Sequence, residues 1–249
     1  MKKRIFAILL SFVAALSLVA CKTTTSKPDP KSYLSSNEGK SQEEINAELN
    51  EMVENFKQLA GPSFELGTVT DYTYTNSSLG IGIQLDDTWL FKTKDEIDAL
   101  NSETLDYVVD ENQKSATEKA FEKGTAVTDM LAQNQETGDT VQVSAQDLSI
   151  VGSMYTVEQY AQINVDPTKS MLEKMGYSNI DIQVIDNDTH FGQTGSTLAI
   201  SCDVTSDLKF YERCFIFKKG NVFILVTICS VTEGKCDELL DMFYEVSAE

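Results

Sequence analysis

The first pattern in the chain is an apolar run from Ile5 to Ala20, broken only by Ser11 and Ser17 and preceded by Lys2, Lys3 and Arg4. A basic start, a short apolar stretch and a small residue at its end mark a secretory signal peptide. Its 16 residues fall short of the about 20 that a membrane-spanning helix needs. Residues 22–40, KTTTSKPDPKSYLSSNEGK, offer almost nothing to bury, which predicts a disordered spacer. Ser41 and Glu44 then form a capping-box pattern. Ile45, Leu49, Met52, Val53 and Phe56 recur at helical spacing, so 42–59 reads as an amphipathic helix with an acidic outer face, ended by Gly61-Pro62.

Beyond it the period changes. Val69 to Thr75 and Leu79 to Leu85 alternate with period two around a turn at Asn76-Ser77-Ser78, which predicts a hairpin. Helical spacing returns at 93–100 and 103–123, the second carrying Leu105, Val108, Val109, Ala116, Ala120 and Phe121 up to Gly124. Residues 126–148 read as a second hairpin turning at Glu136-Thr137-Gly138-Asp139. Thr156 with Gln159 caps one helix, and Asp166-Pro167 opens another that runs through Met171, Leu172 and Met175 to Gly176. Four strands follow at about 180–186, 196–204, 209–218 and 221–230, with a turn at Lys219-Gly220. Ser230 and Glu233 read as the cap of a last helix burying Leu239, Leu240 and Phe243. Hairpins interleaved with helices predict an α+β fold, an antiparallel sheet built from hairpins and a C-terminal meander with helices packed on it. The expected organisation is a leader over 1–20, a tether over 21–40 and a single domain over 41–249.

Charge narrows the setting. The chain has 20 basic and 39 acidic residues; without Lys2, Lys3 and Arg4 the balance is 17 against 39, or −22. Such a body repels nucleic acid and anionic headgroups, so no nucleic-acid partner is expected and a basic patch does not supply membrane attachment. The tetrad Leu18-Val19-Ala20-Cys21 resembles the lipobox of bacterial lipoproteins, in which Leu18, Val19 and Ala20 would be read by the signal peptidase and Cys21 would carry the lipid. The resemblance implies a protein held by a diacylglyceryl anchor to the cell membrane on its extracytoplasmic face, with the lipid bilayer and another envelope protein as its partners.

Further along, YTNSSLGIGIQLDDTW, Tyr74 to Trp89, resembles the opening hairpin of PsbP-like domains and of many lipoproteins from Gram-positive bacteria. The turn around Glu136-Thr137-Gly138, the segment EKMGYSNI and the final meander with its helix are similar in order and spacing, over roughly residues 64–247. The sequence departs from that pattern at Asp86-Asp87-Thr88, where proline and glycine are usual. The resemblance implies a PsbP-like fold and carries over no catalytic residues. The single tryptophan, Trp89, reads as core packing at a strand end in preference to a ligand platform.

Candidate chemistry is sparse. One histidine, His190, rules out mechanisms that need two, and no catalytic constellation or cofactor is expected. Ser206-Asp207-Leu208-Lys209 matches S-x-x-K but falls in an expected strand turn, away from the helix start that motif needs. Asp186, Asp188 and His190 are weak metal candidates in a stretch, DNDTH, that reads more simply as a turn. Asp86-Asp87 could serve a hydrolase only if adjacent strand residues pointed the same way. Cys202, Cys214, Cys229 and Cys236 allow two disulfides, with local pairing of 202 to 214 and 229 to 236 preferred; four reduced core thiols are the alternative, and a zinc site is disfavoured by the missing C-x-x-C spacing. The register of the meander predicts that Cys202, Cys214 and Cys229 share one sheet face. Three roles remain open: a non-catalytic interaction or assembly domain of the envelope, a small-molecule or cation-binding lipoprotein, and an envelope hydrolase.

Overall fold

A computed structural model describes residues 64–148 and 155–247. The expected leader, tether and helix over 42–59 lie outside the described residues. The elements in chain order are β1 (Thr68–Thr70), β2 (Thr73–Asn76), β3 (Ile81–Gln84), β4 (Trp89–Phe91), α1 (Lys94–Leu105), α2 (Glu111–Glu122), β5 (Ala126–Asn134), β6 (Thr140–Asp147) and α3 (Val157–Lys174). They continue with β7 (Ser178–His190), β8 (Gln193–Thr205), β9 (Leu208–Lys219), β10 (Val222–Ser230), α4 (Lys235–Leu240) and β11 (Phe243–Glu245). The fold is α+β and its strand pairing antiparallel, as the alternating hairpins predict.

The strands form two sheets, a small one in the order β1-β2-β3-β11 and a large one in the order β4-β5-β6-β10-β9-β8-β7. One face of the large sheet meets the small sheet, so Tyr74, Ile81, Ile83 and Phe243 share a core with Val143, Phe215 and Val226. Trp89 is buried in that core. The other face meets α3, where Tyr160 stacks on Phe223 at 4.2 Å between ring centres and donates its hydroxyl proton to Gln146 Oε1 at 2.8 Å. The result is a three-layer body, sheet on sheet on helix; the core between the two sheets is apolar, whereas the α3 side also buries Gln142, Gln146, Glu212 and Asn164.

Several boundaries differ from the sequence pattern. The strand expected over 69–75 is two strands, because Asp71 adopts φ 53° and turns the chain so that Thr70 pairs with Thr73. The single helix expected over 103–123 breaks near 106–110, where the Asp110 carboxylate accepts the amides of Asn112 and Gln113 and starts α2. Conversely, the two helices expected on either side of Pro167 are one. Tyr160, Ala161, Asn164, Thr168, Met171 and Leu172 form an unbroken buried stripe across it, and burial on both sides outweighs the roughly 3 kcal/mol that an interior proline costs. Ser230 does not cap α4; its hydroxyl accepts the Thr232 amide, Gly234 at φ 78° stands at the N-cap, and Phe243 belongs to β11 opposite Ile83.

One glycine is required by close approach. Gly195 lies in β8 where an added Cβ would press into the carbonyl oxygen of Ile216 on β9, and backbone cannot swing aside as a side chain can. Gly195→Ala is expected to lower stability by roughly 2–4 kcal/mol, read as a fall in the urea midpoint. A loss under about 1 kcal/mol would mean that the two strands have slack there.

Candidate functional site

The lipobox residues Leu18, Val19, Ala20 and Cys21 lie outside the described residues. Within the body, four places carry polar chemistry. The first is the end of β7. Residues 186–190, expected as a turn, are strand; the turn is Phe191-Gly192, both at positive φ. A bulge at Asn187, φ 56°, leaves Asp186 opposite Ser196 and Asp188 opposite Gly195. The extra residue therefore sends the two carboxylates to opposite faces of the sheet. Asp186 accepts the Ser196 hydroxyl at 2.9 Å. Asp188 instead joins Thr197 and His190, whose Nε2 lies 3.1 Å away. Burial raises the Asp188 carboxyl, but the Thr197 hydroxyl and His190 outweigh it and hold the group below its ordinary value. A carboxylate only accepts, so Nε2 carries the proton of this bond. His190 also faces Asp241 at 3.7 Å and sets its ring edge on Phe215, tying the β7 end to the chain after α4. Among the described residues no three His, Cys, Asp or Glu side chains are gathered in an arrangement able to hold a metal ion.

The second place is a cluster of thiols around a buried carboxyl. Cys202 pairs with Phe210, Cys214 with Leu198 and Thr227, and Cys229 with Glu212. Cys202, Cys214 and Cys229 therefore share the α3 face of the large sheet with Glu212. The expected bridge from Cys202 to Cys214 is not formed: their register positions differ by four residues, about 13 Å along the strands, which exceeds disulfide reach. The four cysteines are free thiols. Cys229 Sγ lies 3.6 Å from Glu212 Oε2, Cys236 Sγ reaches the Tyr211 carbonyl at 3.4 Å, and Thr227 donates to Cys214 Sγ at 3.4 Å. Burial pushes the Cys202, Cys214 and Cys236 thiols up to about 12 and raises the Cys229 thiol well above its ordinary value, and the Glu212 carboxyl adds to each shift. A thiol nucleophile needs the opposite shift. Burial likewise pushes the Glu212 carboxyl up to about 8. Sequence reasoning missed Glu212, although the alternation Phe210, Glu212, Cys214, Ile216 places a charge in an apolar phase.

The third place is Asp129, the extra residue of a bulge in β5 between Thr128 and Met130. Both of its carboxylate oxygens accept the Gly67 amide, at 2.9 and 3.0 Å. Tyr74 Oη and Asn76 Nδ2 donate to Oδ2, each at 2.6 Å. The carboxylate thus fastens the small sheet to an edge of the large one. Its signal in the sequence is an acid breaking the run Ala126 to Ala132.

Beside Asp129 lies the fourth place, a cleft of about 370 Å³ between the first described residues, α1, the end of α2 and β5. Phe64, Leu66, Ile97, Phe121 and Val127 make its apolar wall, and Lys92, Lys94, Asp98, Asn101, Thr128 and Asp129 its polar lining.

The remaining sequence candidates are structural. Asp86 accepts the Thr88 amide and hydroxyl, bonds that hold its carboxyl below the ordinary value and make Asp86-Asp87-Thr88 a closed turn before β4. Ser206-Asp207 is the turn between β8 and β9, and Lys209 lies in β9.

No family model matches the chain, and no curated protein matches it significantly. Among solved structures it is similar to the solution structure of cyanobacterial PsbP (CyanoP) from Synechocystis sp. PCC 6803, at 11% identity and a TM-score of 0.40, over 74% of this chain and 99% of that one.

Proposed function

We propose that the protein is an extracytoplasmic lipoprotein with a PsbP-like body, anchored to the outer face of the cell membrane through a diacylglyceryl group on Cys21, and that this body binds another protein of the envelope without catalysing a reaction. The observation that carries the reading is the order of Lys2-Lys3-Arg4, the apolar run, and Leu18-Val19-Ala20-Cys21 followed at once by a polar spacer. A net charge of −22 after the leader repels anionic headgroups, so attachment falls to the lipid, at about 0.8 kcal/mol for each buried methylene. Nineteen residues, Lys22 to Lys40, separate the anchor cysteine from the capping-box pattern at Ser41 and set the body off from the bilayer. Among the described residues no helix is long and apolar enough to cross a membrane. Burial raises the four described thiols out of the reactive range, and Asp86, Asp129, Asp186 and Asp188 each accept hydrogen bonds within the body, which favours binding over catalysis.

The test is the mass of the protein extracted from membranes of an exporting host. Wild type is expected to begin at Cys21 and to carry the mass of an attached lipid, while Cys21→Ser keeps its first 20 residues and gains none. A cleaved wild-type chain released without lipid would refute the anchor. Crosslinking on intact cells then reads the partner, and a chain that captures only itself or nothing would count against the interaction role.

A further inference from the structure

We infer that the cleft between α1, α2 and β5 is the seat of the chain's own amphipathic segment, residues 45–59, which docks there in cis. Three observations lead to it. The cleft wall begins with Phe64, the first described residue, and Leu66, a leucine left 60% exposed. Only five Cα steps separate Leu59 from Phe64, at most about 18 Å of chain, so the segment's end cannot leave this side of the body. The segment itself repeats Ile45, Leu49, Met52, Val53 and Phe56 on one helical face, a stripe that gains about 25 cal/mol for each Å² it removes from water. Its other face carries Glu48, Glu51 and Glu54, which an anionic bilayer repels.

The cleft offers what that stripe needs. Ile97, Phe121 and Val127 supply apolar wall, and among the described residues nothing lies within 4 Å of where a Cβ on the lining residue Gly124 would stand. The lining residues Lys92 and Lys94 are already paired with Glu96 and Asp98, so shape and apolar contact select the occupant more than charge does. Seated this way, the segment ends the tether against the Asp129 junction of the two sheets and fixes where the body hangs from its anchor. The inference does not depend on lipidation or on the identity of any partner.

The test uses the full mature chain in detergent, with a benzophenone amino acid replacing Met52. Irradiation is expected to give crosslinks within one molecule to α1, α2 or β5, near Ile97, Phe121 or Val127. Hydrogen exchange of residues 45–58 is expected to be slowed at least ~10-fold relative to the free-chain rate. Leu66→Asp, at an exposed position, should erase that protection while leaving β10 amides protected, which shows the body still folded. Crosslinks only between two copies would overturn the inference in favour of a dimer face. Crosslinks to α3, or unprotected exchange with no crosslink, would overturn it outright.

Discussion

Asp129→Ala is expected to lower the stability of the folded body by roughly 3–5 kcal/mol, the cost of leaving the Tyr74 hydroxyl, the Asn76 amide and the Gly67 amide without their shared acceptor at about 1–3 kcal/mol each. Tyr74 is fully buried and Asn76 nearly so, and each would lose its acceptor at 2.6 Å. Asn76 would keep its bond to the Glu65 carbonyl, whereas the Gly67 amide would lose both oxygens at once. Burial and the neighbouring carboxylate already hold the Tyr74 hydroxyl far above its ordinary pKa, so it remains a donor and cannot ionise to escape. Asp129→Asn retains one acceptor oxygen and sets its amide protons against the remaining donors, so it should fall between wild type and alanine. Urea unfolding measures the three proteins, and exchange at Thr73 to Asn76 shows whether the small sheet loosens first. Equal stability of Asp129→Ala and wild type would mean that water replaces the carboxylate at no cost.

The second large effect depends on pH. Glu212 is buried in β9, and burial lifts its carboxyl from 4.5 to about 8. The native state therefore holds a proton that the unfolded chain releases near pH 4.5. For a raised pKa the stability from this group is complete below about pH 4.5 and is lost as the pH rises through about 8. At about 1.36 kcal/mol for each pH unit, the loss across that window is roughly 3–6 kcal/mol. Glu212→Gln keeps the shape and removes the titration. Its stability relative to wild type is expected to climb steadily from pH 5 to pH 8, with the variant ahead at the alkaline end. Burial raises all four thiols well above their ordinary value, so in the native protein they do not titrate in this window. A variant-to-wild-type difference that stays flat from pH 5 to pH 8 would show that Glu212 ionises without penalty.

Much of the fold was legible because local patterns report it. Period-two runs located β8, β9 and β10 to within a few residues, and the turns at Gly138 and Gly220 fall where glycine meets a positive φ. Thr156 and Gln159 cap α3 as a reciprocal pair, as their spacing predicts. The face shared by Cys202, Cys214 and Cys229 also followed from alternation, but their pairing did not. The tight turn at Ser206-Asp207 and the bulge between Asp203 and Thr205 together set the register of β8 on β9, placing Cys202 opposite Phe210, four residues from Cys214. The bulge at Asn187 was hidden in the same way, since one extra residue leaves composition unchanged and reverses a face.

The sequence by itself determined the net acidity, which is a matter of composition, and the antiparallel hairpins, which are written within a few neighbouring positions. Only the tertiary structure decided that the strands divide into two sheets, that Asp129 fastens one to the other, that α3 continues through Pro167, and that Glu212 keeps its proton. Those outcomes depend on what packs against each residue from distant parts of the chain. Desolvation and register are properties of the assembled layers, and no short window of sequence contains both partners.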